Sequence, residues 1–169
     1  MRLFASKALP IAQDAVRALL KAGSIEAEAP NEVIADVEAV LKSYVEMERE
    51  VSEKTRDLLE RTGRGTSDFN RVRTQIAESK GIKVGDDMLD YLLDQVVAAF
   101  HHSSHVDEIF AEDNILRRTM VPFFKKHMMV DEGLDAEVRL QLRHMKEGTA
   151  TWDVEYARVM EAVRRKRGV

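Results

Sequence analysis

Two stretches of this 169-residue sequence repeat apolar residues at alternating spacings of three and four, the pattern of a helix with one continuous apolar stripe. The first stretch predicts a helix over about 30–61, with Lys54 interrupting the stripe, and the second predicts a helix over about 135–167. The stripe positions are Val33, Val37, Val40, Tyr44, Met47, Val51 and Leu58 in the first, and Val138, Leu142, Met145, Thr149, Trp152, Tyr156, Val159 and Val163 in the second. We expect these stripes, including the single tryptophan, to be buried.

The segments outside the two stripes also carry helical spacing. Apolar faces recur over about 10–23, 67–81, 85–102 and 114–127, and most of these segments begin or end at a proline, serine or glycine. Only three prolines and eight glycines are present, so few positions force a helix to break. The sequence therefore predicts an all-α fold, a single domain over 1–169 packed as a helical bundle.

An offset of 105 residues aligns the two stripes and the segments before them. Repeat one would cover about 4–63 and repeat two about 109–168, with the middle helices at about 67–102 between them. Identical or similar pairs at this offset include Glu32 with Glu137, Glu50 with Glu155, Gly63 with Gly168, and Ile25-Glu26 with Val130-Asp131. We interpret the pattern as two diverged copies of one helical unit, each ending in a long helix. We expect the two stripes to pack on each other, antiparallel, about a pseudo-twofold axis.

Composition excludes several kinds of chemistry and predicts a location. The absence of cysteine excludes disulfides, thiolate catalysis and cysteine-ligated zinc. The longest uncharged run, residues 95–106, is too short to cross a bilayer, and charges interrupt the amino-terminal residues too early for a signal peptide. We therefore expect a cytoplasmic protein with no membrane insertion. The net charge of −4 divides into −8 for residues 1–113 and +4 for residues 114–169. Such asymmetry can indicate an acidic partner for the carboxy-terminal part, but we favour attraction between the two parts of one domain.

A cluster of histidines is the first candidate for chemistry. His101 and His105 have the i,i+4 spacing of two metal ligands on one helix, and His102 lies between them. However, Ser103-Ser104 resembles a break between helices, and the glutamate of a zinc-protease motif is absent. Imidazoles at the end of a helix also interact favourably with its dipole. We favour the structural interpretation and keep a metal or acid–base site as the alternative.

The only basic cluster is Arg164-Arg165-Lys166-Arg167, directly beyond the last stripe residue. It could bind nucleic acid or an acidic partner. Cations at the end of a helix also complement its dipole, and the molecule as a whole is acidic. Helix capping and solubility are the interpretation that we favour, and we do not expect nucleic acid as a partner.

Several long composite motifs resemble one bacterial family, filed as domain of unknown function 507. They are spread over the whole chain, and the resemblance implies no activity, cofactor or catalytic residue. The motifs are Met1-Arg2-Leu3-Phe4, Leu89-Asp90-Tyr91-Leu92-Leu93-Asp94-Gln95, His102-Ser103, Val106-Asp107-Glu108-Ile109-Phe110-Ala111-Glu112-Asp113, Leu134-Asp135-Ala136-Glu137-Val138, Gly148-Thr149, Trp152, Glu155-Tyr156 and Arg165-Lys166-Arg167-Gly168.

Three functions remain as hypotheses from the sequence. The favoured one is a non-enzymatic cytoplasmic interaction or scaffold module, because the sequence shows no set of nucleophile, base and orienting group. It assigns no catalytic residue, no cofactor and no metal ligand, and its partner would be a protein of unknown identity, with a homodimer also open. The alternatives are a metal-dependent enzyme using His101, His102 and His105, and a nucleic-acid-associated protein using the basic carboxy-terminal residues 164–167.

Overall fold

A computed structural model describes residues 1–129, 132–147 and 149–168 of the chain. These residues form an all-α bundle, with one two-stranded antiparallel bridge as its only sheet within the described ranges. The helices are α1 (Ala5–Lys21), α2 (Pro30–Thr62), α3 (Phe69–Ser79), α4 (Met88–His102), α5 (Asp113–Met128), α6 (Glu132–Gln141) and α7 (Ala150–Arg167), and the strands are β1 (Ile25–Glu26) and β2 (Glu108–Ile109). Across the described ranges, no helix combines the length and apolar character needed to cross a bilayer.

Helix α2 is the longest element, and it confirms the helix predicted over about 30–61. Pro30 begins it, at a position where the missing N–H of proline has no intrahelical partner to lose. Gly63 ends it with φ of +63°, a left-handed conformation that favours glycine. Helices α1, α3 and α4 pack along α2, and α5 packs on α1 and α4.

The main core lies between α1, α2, α4 and α5 and is built from aliphatic residues with few aromatics. The link after α1 and the link before α5 meet in the β1–β2 bridge, where Ile25 pairs with Ile109. Tyr44 of α2 is buried, and its hydroxyl donates a hydrogen bond of 2.8 Å to the carbonyl oxygen of Lys83. These contacts fix the helices of the main core relative to the long α2.

The predicted helix over 135–167 is wrong, because the structure divides it into α6 and α7. Thr149 caps α7: its hydroxyl oxygen accepts a hydrogen bond of 3.2 Å from the backbone N–H of Trp152. In an unbroken helix, Val138 and Trp152 would lie roughly 21 Å apart along the axis. Here both belong to one buried cluster, so the chain turns back on itself between them.

This cluster, the second core, also contradicts the predicted packing of the two stripes on each other. Trp152 is buried, as expected. Its neighbours belong to the second core, whereas the clustered stripe residues of α2 belong to the main core. The second core consists of Phe4, Leu134, Val138, Leu142, Trp152, Tyr156, Met160 and Val163. The physical reason is the turn after Gln141, which lets α6 and α7 bury their stripes against each other.

The internal duplication stays a prediction. The region assigned to repeat two contains three helices where the region assigned to repeat one contains two, because the break after Gln141 has no counterpart in α2. The predicted match of Ile25-Glu26 with Val130-Asp131 falls on residues 130 and 131, which lie outside the described residues.

Residues 2–4 connect the two cores. Leu3 belongs to the main core and Phe4 to the second core, where the Phe4 ring stacks on Tyr156 with centroids 4.8 Å apart. The backbone N–H of Arg2 donates a hydrogen bond of 2.9 Å to the carbonyl oxygen of Met128. This short segment therefore holds the α6–α7 pair against the main body.

Candidate functional site

A cleft of about 750 Å³ lies between the second half of α2, helix α3, residues 1–2 and the α6–α7 pair. Its wall carries five arginines and three glutamates, so it is positively charged on a chain whose net charge is −4. We call it the arginine cleft, after Arg2, Arg56, Arg64, Arg73 and Arg139.

Helices α2 and α3 supply two of these arginines, Arg56 and Arg73, and their hydrogen-bond donors are incompletely paired. The guanidinium of Arg56 lies over the ring of Phe69, 5.9 Å from its centroid, and its Nη1 is buried with no hydrogen-bond partner. Arg73 donates from Nη2 to Glu48, but its Nε is buried and unpartnered. A buried donor without an acceptor is destabilising by about 1–3 kcal/mol.

Arg64 supplies a third uncompensated charge. It follows the end of α2, its side chain is exposed, and it makes no ion pair within the ranges that the structure describes. Leu59 and Phe69 add an apolar part to the same wall. The α2–α3 side of the cleft therefore combines positive charge with an apolar surface.

Arg2 and Arg139 form the opposite side, and both lie against the ring of Trp152. The guanidinium carbon of Arg2 is 4.6 Å from the Trp152 ring centroid, and that of Arg139 is 5.7 Å from a Trp152 ring centroid. Arg2 donates to Glu147 and Asp153, both at 3.2 Å. Arg139 donates to Asp135 at 2.7 Å and to Glu147 at 2.5 Å.

The electrostatics of this side follow from burial and pairing. Burial would lower the pKa of Arg139, but its hydrogen bonds to Asp135 and Glu147 hold that pKa above its ordinary value. Burial raises the pKa of Asp153, and Arg2 opposes the shift. Burial also raises the pKa of Tyr156, whose hydroxyl donates to Asp135. Arg139 is thus held as a cation in a partly buried position.

The three candidate histidines have three different partners. His101 lies 2.8 Å from a carboxylate oxygen of Asp113, and His102 lies 2.7 Å from the carbonyl oxygen of Ala98. His105 lies beyond the end of α4, 2.9 Å from Asp36. The structure therefore does not bring these imidazoles together on one face. Throughout the described residues, no group of three His, Asp or Glu side chains is placed to hold a metal ion.

A histidine, a serine and an aspartate, the residue types of a hydrolase triad, lie together at His105, Ser103 and Asp36. Their hydrogen bonds differ from those of a triad. The Ser103 hydroxyl donates a hydrogen bond of 2.5 Å to Asp36, and not to the imidazole that would have to remove its proton. The hydrogen bond with Asp36 raises the pKa of His105. Burial would raise the pKa of Asp36, but the hydrogen bonds with Ser103 and His105 lower it. The arrangement attaches the segment after α4 to α2.

The basic carboxy-terminal cluster is placed at the end of α7, just before Gly168. Arg165 pairs with Glu161 at 3.0 Å, and Arg167 pairs with Glu137 of α6. Arg164 lines a small groove beside Phe4 and Lys7, and Lys166 is exposed. Two of the four cations are therefore engaged by carboxylates of the same chain.

The sequence did not predict the arginine cleft. Its five arginines come from four separate segments, so no local spacing reveals that they converge. The only signal was indirect: Arg2 and Trp152 both fall in motifs that carry the family resemblance.

Comparison with known proteins confirms that resemblance. The family model described as "Protein of unknown function (DUF507)" matches residues 1–169. The chain belongs to this family. No curated protein matches it.

Proposed function

We propose that this DUF507 protein is a non-enzymatic interaction module that binds an acidic segment of a protein partner in the arginine cleft. One observation supports the proposal above all. The cleft wall contains guanidinium groups whose charge the described part of the chain does not neutralise: Arg56 and Arg64 lack a carboxylate partner, and Arg73 Nε lacks any partner. Arginine is suited to this task because its planar fork binds carboxylates with two parallel hydrogen bonds.

Binding fits the cleft better than catalysis does. Arginine keeps its proton at all physiological pH values and cannot act as a general base. Of the three glutamates in the wall, Glu48 accepts from Arg73, and Glu147 accepts from Arg2 and Arg139. The third, Glu60, makes no ion pair within the described residues, the described wall contains no histidine, and the hydroxyls of Ser52 and Thr66 make no side-chain hydrogen bond to a carboxylate. A nucleophile activated by a neighbouring base is therefore not part of this arrangement.

An extended acidic segment fits the spacing of the charges. Arg56 lies on α2, Arg64 follows the end of that helix and Arg73 lies on α3, so these guanidinium groups come from three parts of the wall. Several carboxylates along one peptide can contact them together. Leu59 and Phe69 would receive an apolar side chain of the same segment. The net charge of −4 and the three glutamates in the wall repel a nucleic acid, which carries a phosphate at every nucleotide, more strongly than a peptide with a few carboxylates.

The proposal is tested by measuring the affinity of the purified protein for short fluorescent peptides by anisotropy. The probes are a peptide rich in Glu and Phe and its counterpart with Gln in place of Glu, together with a single-stranded oligonucleotide. We expect only the Glu peptide to bind, less tightly as salt increases. Arg56→Gln and Arg73→Gln should each weaken binding by about tenfold or more.

Arg71→Gln is the matched control. Arg71 is also on α3, but it is exposed, pairs with Asp68 at 3.1 Å and is not part of the cleft wall. Binding of both peptides alike, or equal losses in Arg71→Gln and Arg73→Gln, would contradict the proposal. Preferential binding of the oligonucleotide would replace the protein partner with a nucleic acid.

A further inference from the structure

We infer that Glu147 occupies the place of a ligand carboxylate in the arginine cleft, so that the turn between α6 and α7 competes with the partner for Arg2 and Arg139. This inference rests on the proposed function and assigns the chemistry of the group that is recognised: a carboxylate. It also assigns a role to a turn that would otherwise be a simple connection.

The geometry of Glu147 is that of a bound anion. A single oxygen, Oε1, accepts from Nη1 of Arg2 at 3.2 Å and from Nη1 of Arg139 at 2.5 Å. Glu147 is in the turn between two helices, not inside either of them. Its side chain is 42% exposed, so it can leave for water without unpacking a core.

The two donors stay in place when Glu147 leaves. Arg2 keeps its hydrogen bond to Asp153, and Arg139 keeps its hydrogen bond to Asp135. Both guanidinium groups also keep their contacts with the Trp152 ring. Neither Asp135 nor Asp153 is part of the cleft wall. Displacement of Glu147 therefore leaves two oriented donors in the cleft wall. Binding of a ligand carboxylate then requires little additional ordering of the Arg2 and Arg139 side chains.

An internal carboxylate lowers the affinity for an external one. The ligand can use Arg2 and Arg139 only in the fraction of molecules from which Glu147 has departed, and its apparent affinity falls by that fraction. Removing the charge of Glu147 should therefore tighten binding, whereas removal of an ordinary structural ion pair would not. Because a partly exposed ion pair of this kind is weak, we expect its removal to increase the affinity for the peptide by only about two- to fivefold.

The experiment compares the Kd of the Glu-rich peptide for the unmodified protein and for Glu147→Gln. We expect the variant to bind about two- to fivefold more tightly. The gain should vanish when Arg139→Gln is added, because the vacated donors are then incomplete. Glu155→Gln is the control: Glu155 is half-buried on α7 and pairs with Arg158, outside the cleft wall. Trp152, the only tryptophan, gives a second readout, since exchange of the carboxylate beside its ring should change its emission.

The possible results separate the inference from the proposed function. Equal affinities of the unmodified protein and Glu147→Gln would overturn the inference and leave the proposed function standing. Absence of peptide binding by both would overturn both. A gain for a phosphorylated peptide without a gain for the Glu peptide would overturn the assignment of a carboxylate. Thermal unfolding of every variant confirms that its affinity is measured on folded protein.

Discussion

At the scale of single residues, the arginines of the cleft differ in how far carboxylates compensate their charge. Arg2 and Arg139 each bind two carboxylates and lie against Trp152, while Arg56 and Arg64 have no carboxylate partner. The charges of the first pair are compensated by carboxylates, and those of the second pair are not. Sequence spacing cannot distinguish them, because the difference depends on side chains that are far apart in the chain.

The pair of His105 and Asp36 gives a test of the electrostatics that is independent of any ligand. We expect the imidazole of His105 to titrate with a midpoint above the ordinary value of about 6.5, and Asp36→Asn to lower that midpoint. NMR titration of the histidine ring protons measures both. Glu38→Gln, also on α2 but paired with Lys42, should leave the midpoint unchanged. A midpoint unaffected by Asp36→Asn would show that the contact is not made in solution.

The same pair predicts how stability depends on pH. Since the pKa of His105 is raised by folding, its contribution is complete below the ordinary pKa and is lost as pH rises through the raised value. Since the pKa of Asp36 is lowered, its contribution is present above the ordinary pKa and is lost as pH falls through the lowered value. The contact is therefore strongest between about pH 4 and pH 6.5.

At the scale of elements, most helices could be predicted from the sequence, but the break before α7 could not. Leu142, Met145, Thr149 and Trp152 keep the spacing of three and four through the turn, so the periodic pattern continues where the helix does not. The contrary signal was local: a threonine in the stripe, which caps a helix more readily than it continues one.

The cap of α7 should be measurable. Thr149→Ala removes the acceptor for the Trp152 backbone N–H, and we expect the free energy of unfolding to fall by about 0.5–2 kcal/mol. Thr151→Ala is the control, because Thr151 is exposed in the first turn of the same helix and makes no side-chain hydrogen bond. Urea unfolding of both variants gives the comparison. Equal stability of the two would mean that the helix does not depend on this cap.

At the scale of the whole molecule, the described residues form two cores, and ion pairs between oppositely charged residues join parts of the chain. As the uneven charge suggested, Arg117 pairs with Asp90 and Asp94 of α4, and Lys126 pairs with Asp14 of α1. The sequence could predict that the two parts carry opposite net charges and attract each other. It could not predict the arginine cleft, because the cleft exists only after the α6–α7 pair has been placed beside α2 and α3.

The two cores should respond separately to the loss of their shared segment. Phe4→Ala removes the ring that stacks on Tyr156, and we expect the amides of α7 to exchange faster with deuterium. The amides of α2 should keep their protection, because Phe4 is not part of the main core. Hydrogen exchange followed by mass spectrometry measures both helices in one sample. An equal loss of protection in both would contradict the division into two cores.

The connection through residues 2–4 also has a consequence for the order of folding. The hydrogen bond between Arg2 and Asp153 joins residues 151 positions apart, and Phe4 meets Tyr156 over a similar separation. Contacts this distant in sequence close the largest loops and form late in the search for the native state. During synthesis, α1 to α5 are complete before Trp152 exists, so the main core can close first. The ring of Phe4 would then stay exposed at the surface of the main core until α7 has been synthesised.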